Sequence, residues 1–159
     1  MIVVCDTSAI TNLAAVGRLE LLKDLFGLVL ISESVRDELQ ADGGIYPGSN
    51  AASLDWIEVR AAANRTLVDQ LRQTIHLGEA ESIVVALECQ ADLVLLDDAD
   101  GRNAAQQCGL TVMGTLGVLI RAKRAGVIPL AKPILDDLIA HGFFVRDAVA
   151  QGILKMVGE

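Results

Sequence analysis

The chain has 159 residues, 52% hydrophobic, 21% charged and only 3% aromatic. That length allows one domain with a full core built from Leu, Val, Ile and Ala, and the composition excludes a disordered chain. The formal net charge of −8 argues against nucleic-acid binding driven by charge alone, and it also fits a site crowded with acidic metal ligands.

No apolar run reaches the ~20 residues of a membrane span, and Asp6 interrupts the N-terminal run before it could form a leader h-region. Cys5, Cys89 and Cys108 show no C-x-x-C spacing, and the first and second fall in apolar, core-like patterns. The expected setting is a reducing cytoplasm, with no disulfide framework and no membrane partner.

The chain opens on Met1-Ile2-Val3-Val4-Cys5-Asp6-Thr7-Ser8. The apolar run predicts a short strand buried on both faces, at the centre of a parallel sheet. Ala9 to Leu25 reads as helical, with a break near Gly17 and an end at Phe26-Gly27. Residues 28–31 form a second buried strand. Ser32 to Gln40 is a helix in which Ser34 and Asp37 resemble a capping box. Residues 41–50 read as a mobile loop of Gly, Pro and polar residues. Residues 56–59 are a third strand, and Asn64 to Thr74 a polar surface helix.

Leu77 leads into a helix ending near Gln90. Ala80, Ile83, Val84 and Leu87 share its apolar face, and Glu81 and Glu88 share a flank. Residues 93–96 are another buried strand, followed by Asp97-Asp98. A helix through Cys108 closes at Gly109. Thr111 to Met113 is a short last strand, and Gly114-Thr115 opens a helix to Arg124. Two further helical patterns, about 134–140 and 146–157, finish the chain. Strands alternating with helices imply βαβ units with right-handed crossovers. The expected organisation is one domain over 1–159, with a helical extension from about residue 126.

Two strands thus end in aspartate. In a parallel sheet their C-termini share one edge, where open α/β sheets bind ligands. Asp6 and the Asp97/Asp98 pair would meet there if the strands are neighbours. Glu38, on the helix after the second strand, and Glu79 or Glu81, in the first turn of another, can reach the same crevice. Each acid also has a structural explanation: Asp6 as a helix cap, Asp97, Asp98 and Asp100 as loop and cap residues, Glu79 and Glu81 as first-turn acids, Glu38 as a surface glutamate.

Convergence needs a cation, since two carboxylates ~5 Å apart repel by roughly 3 kcal/mol at an effective dielectric of 20. Mg²⁺ or Mn²⁺ is the matching hard, oxygen-seeking partner. His76 and His141 are poorly placed for zinc. A carboxylate-held Mg²⁺ suits phosphoryl transfer. Arg102, beside the acids, is a candidate phosphate contact, whereas Arg121 and Arg124 read as surface cations.

The ordered set Val4-Cys5-Asp6-Thr7-Ser8-Ala9, Val35-x-x-Glu38-Leu39, Gly78-Glu79-Ala80-Glu81-Ser82-Ile83 and Leu95-Leu96-Asp97-Asp98 resembles PIN domains, small α/β nucleases. Many of these are VapC-like toxins of type II toxin–antitoxin pairs. The resemblance covers nearly the whole chain, including Asp97 to Arg102 and Gly114 to Leu119. It implies a three-layer α/β/α sandwich on a parallel sheet of four to five strands, with extra C-terminal helices. It also implies Mg²⁺- or Mn²⁺-dependent cleavage of RNA, a cognate antitoxin partner and a homodimer. Asp6, Glu38, Glu81 and Asp98 (or Asp97) would be catalytic metal ligands, with Glu79 as a neighbouring acid. Thr7, Ser8 and Thr115 would support them. Glu81 stands where typical toxins carry Asp.

A haloacid dehalogenase-type phosphatase would want a second Asp where Ser8 stands. A receiver-like module would want a Lys after the last strand, and Met113-Gly114-Thr115 has none. The non-enzyme alternative is a catalytically weak PIN fold that binds protein or RNA.

Overall fold

The computed structural model describes residues 1–159. Five strands, β1 (Val3–Cys5), β2 (Val29–Ser32), β3 (Ile57–Arg60), β4 (Leu93–Leu95) and β5 (Val112–Met113), form one sheet in the order β3-β2-β1-β4-β5. All four pairings are parallel. The chain winds outward from β1 to β3, then returns to place β4 on the other side of β1. The β1/β4 seam is therefore the point where strand order reverses, the crevice that binds ligands in such sheets.

The period-two alternation of a strand sorts the apolar side chains into two layers. Val3, Cys5, Val29, Ile31, Leu93 and Leu95 face one layer. Against them pack α1 (Thr7–Ala15), α2 (Glu20–Phe26), α3 (Glu33–Leu39), α8 (Thr115–Arg124) and α9 (Lys132–Ala140). Val4, Leu30, Val94 and Leu96 face the other, covered by α5 (Arg65–Leu71), α6 (Leu77–Glu88) and α7 (Ala99–Gln107). The fold is the expected α/β one, with both faces of a parallel sheet covered.

Several local readings need correction. The N-cap of α3 is Ser32, whose hydroxyl accepts from Val35 N at 3.1 Å. Asp37 instead accepts from its neighbour Arg36 at 2.9 Å, so Ser34–Asp37 is no capping box. The reason is that β2 runs one residue further than expected and feeds the helix directly. Residues 41–50 include a short helical turn, α4 (Ala41–Gly44), followed after Asn50 by a 3₁₀ turn at Ala51–Ser53. Within that stretch Gly48 approaches α1 so closely that a Cβ would stand 2.8 Å from Ile10 Cγ2.

Gly109, at φ 83°, follows the C-cap of α7 as expected. Cys5 is buried, whereas Cys89 is only half-buried. The C-terminal helices are more than an appendage. Ile134, Leu135 and Leu138 of α9 belong to the larger core, and Leu154 and Val157 of the α10 region (Asp147–Met156) pack against it. No helix is long and apolar enough to cross a membrane.

Candidate active site

Asp6 leaves β1 with its backbone still paired, its N–H donating to Leu95 O at 3.1 Å. It is the N-cap residue of α1, but its side chain makes no capping bond, so capping does not account for the carboxylate. The side chain is buried, and desolvation, reinforced by Glu79, Glu38 and Asp97, pushes its pKa up to about 7 despite a favourable contact with the Thr7 amide. A buried acid with a strongly raised pKa in a cleft is a candidate functional group.

The cleft is a cavity of about 170 Å³ with no hydrophobic residue in its lining. Four carboxylates contribute, Asp6, Glu38, Glu79 and Asp98, together with Thr7, Ser8, His76 and Gly78. Glu38 lies on the exposed side of α3 and accepts from Thr7 Oγ1 at 2.8 Å. A Cβ on Gly78 would stand 2.9 Å from Glu38 Oε2 and 3.3 Å from Asp6 Oδ1, so the missing side chain gives both carboxylates their room.

Glu79 is buried in the first turn of α6. Its Oε1 accepts from His76 N at 3.4 Å, while its Oε2 is buried without any partner. Burial first, and then the neighbouring Asp98 charge, push its pKa up. Asp98 caps α7 by accepting from Gly101 N at 3.2 Å. Gly101 abuts Glu79 Oε2, leaving no room for a Cβ.

The other predicted residues go elsewhere. Glu81 accepts from Ser34 N at 3.0 Å and from Arg65 Nη1 at 2.9 Å. Burial opposes its charge, but the Ser34 and Arg65 contacts outweigh it and hold its pKa below the usual value. Residues two apart on a helix diverge by about 200°, so Glu79 and Glu81 cannot face one crevice. The structure thus brings Glu79 to the other acids and turns Glu81 away.

Asp97 and Asp98 diverge for the corresponding reason in extended backbone. Asp97 accepts from Thr115 N at 2.7 Å, Thr115 Oγ1 at 2.6 Å and Asn12 Nδ2 at 3.0 Å, pinning the start of α8 to β4. Thr115 therefore serves Asp97 and is absent from the acid cavity. Arg102 donates to the Asp97 and Leu96 carbonyls and lines the neighbouring groove. His76 and Gly78 were not singled out as members of this cavity from sequence. Their adjacency to Glu79 at a helix start was the available signal.

A family profile described as a PIN domain (DUF3368) matches residues 2–159. The chain belongs to the PIN domain family. No curated protein and no solved structure matched it. PIN domains are typically metal-dependent nucleases, and the family points to a nucleic-acid substrate. The acid cavity of this PIN domain fits a hard divalent ion in its chemistry, since its carboxylates offer oxygen donors and one buried carboxylate oxygen lacks a partner. No three of its His, Cys, Asp or Glu side chains already stand together as a ligand set.

Proposed function

We propose that this PIN domain is a Mg²⁺- or Mn²⁺-dependent endoribonuclease that hydrolyses phosphodiester bonds. The supporting observation is the convergence of Asp6, Glu38, Glu79 and Asp98 on one polar cavity at the β1/β4 switch point, without a Lys or Arg to neutralise them. These four carboxylates would hold the ion. When bound, it supplies a water of lowered pKa and neutralises charge on the scissile phosphate.

The chain's own residues set up that chemistry. Thr7 holds Glu38 toward Asp6, and the Gly101 amide fixes Asp98. Burial keeps Asp6 and Glu79 poorly solvated, so their charge favours a cation over water. Glu81 and Asp97, which the sequence placed among the ligands, we assign instead to fixing α3 and α8.

The wider role we assign, from the resemblance to VapC-like chains, is the toxin half of a toxin–antitoxin pair acting as a homodimer. Cleavage of a varied RNA pool with Mg²⁺ or Mn²⁺, against Asp6→Asn and against added chelator, tests the nuclease. Activity that needs metal and vanishes with Asp6→Asn is expected; activity indifferent to both would overturn it. Growth arrest on induced expression, absent for Asp6→Asn, tests the toxin role. The second reading, a binding module of weak activity, draws on the absence of a ready-made ligand set and predicts no Mg²⁺-induced rise in melting temperature.

A further inference from the structure

A second, larger cavity lies beside the acids. It measures about 690 Å³ and shares Ser8 and Asp98 with the acid cavity, so a chain lying in it leads directly to the carboxylates. Its outer wall is the segment Phe143-Phe144-Val145-Arg146 between α9 and α10. That segment is non-helical, and its burial alternates. Phe143 and Val145 pack on the core, while Phe144 and Arg146 are exposed. Anchoring alternate residues presents the other two as a fixed pair. Phe144 is 85% exposed, the most exposed large hydrophobic side chain of the protein, and it stands at the mouth of a cavity.

The groove carries both signs of charge, Arg102 and Arg146 beside Asp97 and Asp98. Ion pairs engage Arg36, Arg60, Arg65, Lys123 and Lys132, but neither Arg102 nor Arg146. Two arginines free of ion pairs thus line one groove, where Asp97 is already taken up by Thr115 and Asn12. Arg102 is steadied by the carbonyls of Leu96 and Asp97, the two residues after β4, which leaves the rest of its guanidinium for a ligand. Gly114 and Gly117 keep the lining low; a Cβ on Gly114 would meet Asp97 Oδ1 at 2.9 Å. The groove on the other side of the acids, bounded by Glu38 and Tyr46, contains no cation.

Building on the nuclease proposal, we infer that the α9–α10 groove seats a single-stranded RNA segment next to the scissile bond, with Phe144 stacking on a base and Arg102 and Arg146 holding phosphates. An exposed ring on an anchored segment suits an unstacked base, and unpaired arginines at its sides suit the phosphates that flank it. A duplex hides its base faces and would not use Phe144. The groove thus makes the C-terminal helices part of substrate selection.

The test is fluorescence anisotropy with a fluorescein-labelled single-stranded RNA of mixed sequence, about 12 nucleotides long, on the Asp6→Asn chain so that cleavage does not intervene. Phe144→Ala should weaken binding at least about fivefold, and Phe144→Tyr should restore it. Arg146→Ala should weaken binding and lower the slope of log affinity against log salt by about one. Arg72→Ala, exposed at the end of α5 and outside the lining of the groove, should change nothing. Equal binding by Phe144→Ala and its parent, or no RNA binding by the parent at low salt, overturns the inference. So does loss of a homodimer in Phe144→Ala with RNA binding unchanged, which would assign the groove to a second copy. The two proposals fail separately. Phe144-dependent binding by a chain that never cleaves RNA sinks the nuclease alone, and metal-dependent cleavage with Phe144-independent binding sinks the groove alone.

Discussion

Replacing Asp6 with Asn keeps the shape of the side chain and removes one negative charge from the crowded seam. The folded protein holds the Asp6 proton to about pH 7, against a reference value of 3.8. The folded state thus binds this proton more tightly than the unfolded chain. Stability falls as pH rises through that window and levels off above it. At 1.36 kcal/mol per unit, an ionised Asp6 costs the metal-free fold about 4 kcal/mol.

Asn cannot ionise, so the variant should match its parent near pH 4 and exceed it near pH 8 by up to about 4 kcal/mol, or about 10 °C in melting temperature for a chain this size. Glu81, held by Ser34 and Arg65, runs in the opposite direction and is common to both proteins, whereas Glu79 is coupled to Asp6, so the difference reads the relief of the acid seam as a whole. Mg²⁺ at about 100 times its dissociation constant should return about 2.7 kcal/mol to the parent near pH 8 and much less to Asp6→Asn. The assay is thermal melting with and without Mg²⁺ across this pH range. A variant less stable than its parent near pH 8, or a difference that does not change with pH, would refute the claim that Asp6 is held against its own solvation.

Other substitutions separate site from scaffold. Gly78→Ala replaces a glycine in the first turn of α6, and its Cβ intrudes on Glu38 and Asp6. We expect little change in melting temperature and about a tenfold loss of Mg²⁺ affinity by calorimetry. Glu79→Gln should leave stability level or raised while removing metal-dependent cleavage. Glu81→Gln should cost about 1 kcal/mol by denaturant titration, kept modest because Arg65 is half-exposed, and should spare Mg²⁺ binding. Asp97→Asn leaves one donor at the Thr115 clamp without a good acceptor and should cost about 1–3 kcal/mol. Leu135→Ala, in the buried face of α9, should cost about 2–5 kcal/mol. Removing residues 126–159 should prevent folding, visible as loss of the cooperative melt.

Sequence by itself determined the order and kind of the strands and the main helices, because the central strands are short apolar runs and the core helices repeat their apolar residues at helical spacing, while the turns of residues 41–53 carry no such pattern. It also marked Asp6 and the Asp97-Asp98 pair, since acids directly after buried strands are conspicuous. What it left open was orientation. Which of Glu79 and Glu81 faces the crevice depends on how α6 is rotated against the sheet, and that is set by packing Ala80, Ile83 and Val84 beneath it.

The choice between Asp97 and Asp98 depends on strand register. Cys5 pairs with Leu95, so Asp6 falls on the same sheet face as Leu96 and, two residues on, Asp98. Asp97, of opposite parity, is delivered to Asn12 and Thr115. Phe144 and Arg146 had no signal of their own. Only the packing of Phe143 and Val145 onto the larger core turns a short connection into the wall of a groove. Local periodicity fixes what a segment becomes; the direction in which its polar residues point is a property of the contacts between segments, which no single stretch contains.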